Sequence, residues 1–534
     1  PIADLHLHHK WMSITSEANI ENIYTFSIIA LFVLLIACIN FMNLATARSA
    51  TRSKEVGVRK VLGSQKSHLI LQFLSESILI SGIAIFLTLI FTIVLLPHFN
   101  ELSGKNFSST DLFTVSNLLL LMGIGLTTGL LAGLYPALYL SAIQPVLALK
   151  GLFRLSGHSY LRKGLVTFQF AVSILLIICT FIVYSQVHFM NTKDLGIDTE
   201  HILLVSNTEK LDKNLNVMQQ ALLSLPDVQS VSLTNAIPAQ FVPNWTYKTD
   251  EPSSRSFNPD NVFVTETYDD VLDIEMLAGD FFLGKASDSA YIVVNEALVR
   301  QLDWQLSEAV GKKLFRPTEG SFEIIGVMKD FHTSSLRQSL SPMLLRYSEY
   351  LKKGEFGGTY MMVNVSDNYP KVIETLRTQW ETLASSEILN YEFLDEKFNS
   401  LYENERNFGK IFSTFSVMAI LIACLGLFAL SAFMLERRMK EVAIRRILGA
   451  SLLKIVSIFV SGFAGHIAVA ALLAIGAGIY LADYWLESFA YRVVINPLYF
   501  IWPIVLVSVI AIVTIATQVL KTGNVNPARL LKDE

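Results

Sequence analysis

Residues 55–64 read Glu-Val-Gly-Val-Arg-Lys-Val-Leu-Gly-Ser, and residues 441–450 read Glu-Val-Ala-Ile-Arg-Arg-Ile-Leu-Gly-Ala. Glu55 and Arg59 are four positions apart, as are Glu441 and Arg445, the spacing at which side chains pair on one helical face. Gly63 and Gly449 stand where a helix would stop in a left-handed cap. The spacing predicts a short amphipathic helix in each place. Val56, Val61 and Leu62 would form the apolar side of the first, and Val442, Ile447 and Leu448 that of the second. Such a basic helix lies at a membrane surface, as a bare anchor or as a docking element open to a soluble partner. Repetition with the same order of charges, glycine and flanking segments favours docking.

Each stretch lies between two long apolar runs. Runs at 23–46, 69–96, 116–140, 165–187, 409–435, 455–485 and 498–520 are each long enough to cross a hydrocarbon core of about 30 Å, which takes about 20 helical residues. Helices of a soluble core average only about 11 to 12 residues and keep a polar face. The 534 residues are 52% hydrophobic and 16% charged, against about 25% charged in soluble chains, so much of this chain meets lipid. A second match pairs Gln144-Pro145-Val-Leu-Ala-Leu-Lys150 with Asn526-Pro527-Ala-Arg-Leu-Leu-Lys532. The membrane part is therefore two three-helix units related by parallel repetition.

Lys and Arg gather in alternate loops, at 48–66, 150–163 and 437–454 and in the tail, whereas the loops near 98–114 and 486–497 hold one basic residue each, Lys105 and Arg492. Positive loops face the cytoplasm, which predicts an outer N-terminus and an inner C-terminus. Residues 190–405 then fall on the outer side as a mixed α/β domain. Strand-like runs occur at His201–Ser206, Val228–Leu233, Asn261–Thr267, Tyr291–Val294, Phe322–Met328 and Tyr360–Val365. After Pro370 a helix is expected with Ile373, Leu376, Trp380 and Leu383 on one face. A further helical stretch from Phe393 to Glu405 is expected to lead straight into the fifth crossing.

Catalytic chemistry finds little support. No G-x-x-x-x-G-K-[ST] phosphate loop occurs, so ATP is not cradled by that device here. The net charge of -4, with basic residues in short clusters beside apolar runs, indicates no nucleic-acid partner. Cys38, Cys179 and Cys424 all lie inside apolar runs and offer neither a disulfide framework nor a thiolate metal site. His6 and His8 could share one side of a strand, but no further ligand cluster accompanies them. Asp330-Phe331-His332 lacks a nucleophile elbow or second carboxylate and reads as a turn closing a strand. Away from the ends of the runs, the ionisable residues inside the spans reduce to Glu76 and His466, read as interfacial or packing groups. Asn40, Asn43 and Gln169 read as hydrogen-bonding groups between helices.

The two E-V-x-x-R-x-x-x-G loops, the two proline-containing ends, and the segments Val293-Val-Asn-Glu-Ala-Leu-Val-Arg300 and Gly326-Val-Met-Lys-Asp-Phe-His332 together resemble the FtsX-like, MacB-type permeases of ABC transporters, in the long duplicated form of Bacteroidota. The resemblance implies an α-helical polytopic membrane protein with two FtsX-like units and one mixed α/β MacB-type periplasmic domain. Its parts would be 1–20, the tail of a first periplasmic domain lying upstream of a truncated start; 21–150, the first membrane unit; 160–189, a linking helix; 190–405, the periplasmic core; and 406–534, the second membrane unit. It also implies a non-catalytic subunit of the bacterial inner membrane, without a cofactor of its own. A separate cytoplasmic ATPase dimer would bind the ATP and dock at Glu55, Arg59, Gly63, Glu441, Arg445 and Gly449. Membrane lipid, a second permease copy, and a periplasmic adaptor or outer-membrane channel complete the expected partners. Force passed through the spans would drive export or efflux of peptides, small compounds or lipoproteins; the alternative is control of a cell-wall hydrolase by the same motion.

Overall fold

The computed structural model describes residues 20–141, 159–240, 242–249, 256–354, 358–384, 387–437 and 439–523. His6, His8 and the proline-containing segments 144–150 and 526–532 lie outside these residues. In chain order the main helices are α1 Ile20–Val61, α2 Lys66–Ser103, α3 Val115–Ser141, α4 Ser159–Thr192, α5 Leu215–Leu223, α6 Glu296–Gln301, α7 Tyr369–Leu383, α8 Leu394–Leu401, α9 Glu403–Arg437, α10 Met439–Ile447, α11 Leu452–Leu486 and α12 Leu498–Gly523. They divide between two compact units, residues 1–186 with 405–485 and 494–534, and residues 187–404 with 486–493.

Among the described residues, seven helices are long and apolar enough to cross a membrane, spanning Ile23–Ala45, Lys66–Ser103, Val115–Leu138, Lys163–Thr192, Glu403–Leu435, Leu452–Leu486 and Leu498–Lys521. These are the seven runs read from the sequence. One local expectation changes. The first surface helix is not separate but forms the end of the 42-residue α1. Between residues 46 and 56 the chain offers Ala, Arg and Lys with no proline or glycine to stop it, so the span continues into the polar segment.

Lipid offers no hydrophobic drive for helices to associate, so close contact and hydrogen bonds do that work. On α3, Gly125, Gly129 and Gly133 fall one turn apart against Ser77, Ile78 and Ser81 of α2. A Cβ placed on Gly129 would stand 3.1 Å from the Ser81 Cβ and 3.2 Å from the Ile78 Cα. The Ser81 hydroxyl donates to the Gly125 carbonyl at 2.6 Å. Another core joins α1, α4 and α9 through Ile29, Ile36, Val172, Leu176, Phe408 and Phe412. Asn40 donates to the Ile422 carbonyl and Gln169 to the Ala423 carbonyl, adjacent acceptors on α9, the latter at 3.1 Å. Both residues act between helices, as their isolation in apolar runs suggested.

The second unit is built on one twelve-stranded sheet: β1 Ile202–Ser206, β2 Val228–Thr234, β3 Tyr247–Thr249, β4 Ser256–Phe257, β5 Asp260–Val264, β6 Met276–Gly279, β7 Tyr291–Asn295, β8 Lys313–Arg316, β9 Gly320–Met328, β10 Met343–Tyr347, β11 Tyr360–Val365 and β12 Tyr391–Phe393. The order is β12-β1-β11-β2-β5-β10-β7-β9-β8-β3-β4, with β6 added beside β9. β5 with β10 and β7 with β9 run parallel, and the other pairs are antiparallel. All six strand-like runs became strands. α5 and α7 cover one face through Leu215, Met218, Leu222, Val372, Leu376 and Trp380. The buried stripe of α7 is Val372, Leu376 and Trp380, while Ile373 and Leu383 sit at its margin. The helix expected to run unbroken from Phe393 into the fifth crossing is interrupted. α8 ends at Leu401, and Tyr402 leaves helical geometry at φ −106°, ψ 9° before α9 begins.

The glycine stripe predicts that Gly129→Leu lowers stability by about 1 to 3 kcal/mol through overpacking, whereas Gly82→Leu, with nothing within 4 Å of its Cβ, does not. Thermal loss of monodisperse protein in detergent measures this; equal midpoints for the two variants would refute the α2–α3 contact.

Candidate functional site

The two surface helices can be compared atom by atom. Arg59 Nη2 meets Glu55 Oε1 at 2.7 Å, and Arg445 Nη2 meets Glu441 Oε1 at 2.7 Å. Both pairs are well exposed, so each contributes only tenths of a kcal/mol and serves to orient rather than to hold. The ends match as well. Gly63 N donates to the Lys60 carbonyl at 3.1 Å and Ser64 N to the Arg59 carbonyl at 3.0 Å; Gly449 N donates to Arg446 at 3.0 Å and Ala450 N to Arg445 at 2.9 Å. This is the two-bond left-handed termination in which the glycine supplies a positive φ, here +92° at Gly63 and +86° at Gly449. The sequence placed all six residues correctly on their helices and caps.

The apolar side was misassigned. Only Val56 and Val442 turn inward, Val56 packing with Leu69, Phe73, Ala137 and Leu140. Ile455 and Phe459, at the same offsets in the second copy, are likewise buried and line an open notch with Val442 and Arg445. The remaining apolar residues face outward in matched pairs: Val58 and Ile444 are 47% and 51% exposed, Val61 and Ile447 64% and 62%, Leu62 and Leu448 80% and 79%. Three apolar residues beside an ion pair, repeated twice, form two small patches of the same composition. The copies differ beneath the arginine. Arg59 Nη1 donates to Gln72 Oε1 at 2.7 Å, whereas the residue at the corresponding place in the second copy is Ile458. Lys60 Nζ also donates to the Ser141 carbonyl at 2.6 Å, a contact no spacing rule suggested.

In the α/β unit the two quoted motifs bind each other. Asn295 caps α6 by accepting from Leu298 N at 3.0 Å and also accepts from Met343 N at 2.9 Å. The Asp330 carboxylate accepts from Ala297 N at 2.8 Å and from Arg300 Nη2 at 2.5 Å. Asp330 is thus a structural anion at a helix start, while His332 is buried against Tyr491, ring centroids 4.8 Å apart and edge to face. Desolvation, then the Lys193 charge, holds the His332 imidazole below its ordinary range, against the weaker opposite pull of Asp330 and Asp194. Another buried charge, Arg346 on β10, pairs with Glu319 at 2.6 Å and lies 4.1 Å over the Phe322 ring.

Among the described residues no group of three or more His, Cys, Asp or Glu converges as a metal site. His466 Nδ1 lies 3.0 Å from the Thr167 hydroxyl, a contact between α11 and α4.

Comparison with known proteins assigns both units. A family model described as FtsX-like permease C-terminal matches residues 27–145 and again 413–527. One described as MacB-like periplasmic core domain matches 170–379. The macrolide export ATP-binding/permease protein MacB of Bdellovibrio bacteriovorus is 31% identical over 122 residues, 23% of this chain and 18% of that protein. Its namesake in Chlorobaculum tepidum is 34% identical over 112 residues, 20% of this chain and 16% of that protein. The matches thus span less than a fifth of either relative. Among solved structures, the periplasmic region of MacB from Actinobacillus actinomycetemcomitans aligns over 40% of this chain and 97% of its own, at 16% identity and TM-score 0.29. The extracellular domain of the transporter YknZ aligns over 37% and 91%, at 14% identity and TM-score 0.25.

The depressed His332 pKa fixes the sign of a pH effect. The unfolded chain takes up this proton first, so the His332 contribution to stability is intact above about pH 6.5 and declines as pH falls through that value. Half-buried Asp269, raised to about 6 by desolvation and then by the Asp270 charge, carries the opposite sign. The difference in melting temperature between wild type and His332→Gln isolates the histidine. It should shift against wild type as pH drops from 7 to 5, and a pH-independent difference would contradict the assignment.

Proposed function

We propose that this chain, which belongs to the FtsX/MacB-type permeases of ABC transporters, passes the motion of a separate cytoplasmic ATPase dimer through its spans to its periplasmic domain. The observation carrying this reading is the twofold repetition of one surface: ion pair, glycine cap and three outward apolar residues at equal offsets in each half. A two-site partner is the natural match for two like patches on one chain. Val58, Val61 and Leu62, with Ile444, Ile447 and Leu448, would enter apolar sockets on the ATPase, while Arg59 and Arg445 are held in place by their glutamates. Burying an apolar side chain of this size contributes about 1.5 to 3 kcal/mol, far more than the exposed ion pairs. Coupling strength therefore rests on the leucines and register on the charges.

This reading puts the loop helices and the C-terminus on the cytoplasmic side and the α/β unit in the periplasm, in line with the alternation of Lys and Arg. The scarcity of ionisable residues within the spans suits transmission of force rather than conduction through a polar pore. Export follows by analogy with the relatives named for macrolide export, with small compounds, peptides or lipoproteins as the substrate classes.

Leu62→Glu with Leu448→Glu, in membranes carrying the ATPase, should abolish stimulation of ATP hydrolysis while leaving insertion intact. Arg59→Glu or Arg445→Glu, and Gly63→Val or Gly449→Val, should weaken it. A protein whose surface helices are only lipid anchors would keep full stimulation in all of these variants, and that outcome would sink the assignment. Stimulated hydrolysis without substrate flux, together with a bound cell-wall hydrolase, would support the regulatory alternative.

A further inference from the structure

The Asp330–Arg337 segment has a role that its reading as a turn did not suggest. Leu486–Val493, which joins α11 to α12, clusters with the periplasmic unit rather than with the helices on either side of it. It is held there by two backbone hydrogen bonds, Ala490 N to the Arg337 carbonyl at 3.1 Å and Tyr491 N to the Leu336 carbonyl at 3.2 Å. Side chains lock the same place. The Tyr491 ring has the Lys193 ammonium 3.4 Å from its centre and the His332 ring edge to face against it. The Arg337 guanidinium lies 4.6 Å over Phe489, which is itself buried.

Two further connections reach this segment. His332 N donates to the Leu195 carbonyl at 2.8 Å, three residues beyond the end of α4. Leu336 N donates to the Tyr402 hydroxyl at 3.1 Å, and Tyr402 immediately precedes α9. The exit of α4, the entry to α9 and the α11–α12 loop thus share one stretch of eight residues. Asp330, at its start, is anchored through Ala297 and Arg300 to α6, which follows the central strand β7. A stretch that only closed a strand would not need a partner from each of three connections.

We propose that Asp330–Arg337 is the seat through which span movements enter the periplasmic domain, with Tyr491, between Lys193 and His332, as the positioning residue of the α11–α12 loop. This deepens the coupling reading above and rests on it. A cationic partner on a tyrosine face is an electrostatic contact with the ring, so phenylalanine retains it and alanine does not.

The test is hydrogen exchange on the full chain in nanodiscs with the ATPase that co-purifies with it, with and without a non-hydrolysable ATP analogue. In Tyr491→Ala, amides of residues 330–337 should exchange about tenfold faster, reporting local opening. The nucleotide-dependent change in peptides from 200–384 should be lost. Tyr491→Phe should behave as wild type in both respects. Unchanged exchange in Tyr491→Ala overturns the seat. Faster exchange with the nucleotide response fully retained also overturns it, and leaves the coupling reading standing. Tyr491→Phe failing like Tyr491→Ala overturns the role of the ring face. No nucleotide response in wild type overturns the seat and the coupling reading together.

Discussion

A peptide group in hydrocarbon has no water to bond to, and the rest of this structure follows from that constraint. Each segment that crosses must satisfy its own backbone, so the crossings are helices. Association between them then rests on close approach, as where the α3 glycines admit Ser77 and Ser81, and on sparse polar contacts such as Asn40 and Gln169 with neighbouring α9 carbonyls. Charge and caps are displaced to where the chain leaves the apolar layer. There the sequence becomes amphipathic, and there the two repeated surfaces lie.

On the proposed reading, those surfaces carry function without a reactive group. Their polar members are exposed and inexpensive to change, and their apolar members are exposed in defiance of what a soluble protein tolerates for large side chains in a cluster. The periplasmic unit divides its labour similarly. Asp330, which has the chemistry of a general base, is occupied by a backbone amide and an arginine, and His332 is buried against aromatic and cationic neighbours. These residues stiffen a framework.

Much of this was legible in the sequence because the signals are local. Seven apolar runs needed only length, and Ile202–Ser206 or Tyr291–Asn295 needed only continuous branched residues between polar flanks. β3, β4 and β12 are two or three residues long and leave no period to read. β10 was hidden by Arg346, a charge in a strand buried along its whole length, made tolerable by Glu319 and Phe322, which are remote in the sequence from its own strand. The phase of the surface helices was also beyond local reading. Spacing shows that Val56, Val61 and Leu62 are apolar, but which of them faces inward is decided by where Leu69 and Phe73 sit. The contact of Tyr491 with His332 joins distant parts of the chain and has no signature in either stretch.

The two surface helices lie on one polypeptide rather than on two copies of a shorter one. In a homodimer every substitution is made twice, so its two faces can never differ. Here each half is free to drift alone. Arg59 has a glutamine beneath it, whereas Arg445 stands where the corresponding residue is an isoleucine. Repetition within a chain thus makes two like sites separately adjustable by mutation, and at Gln72 and Ile458 they already differ.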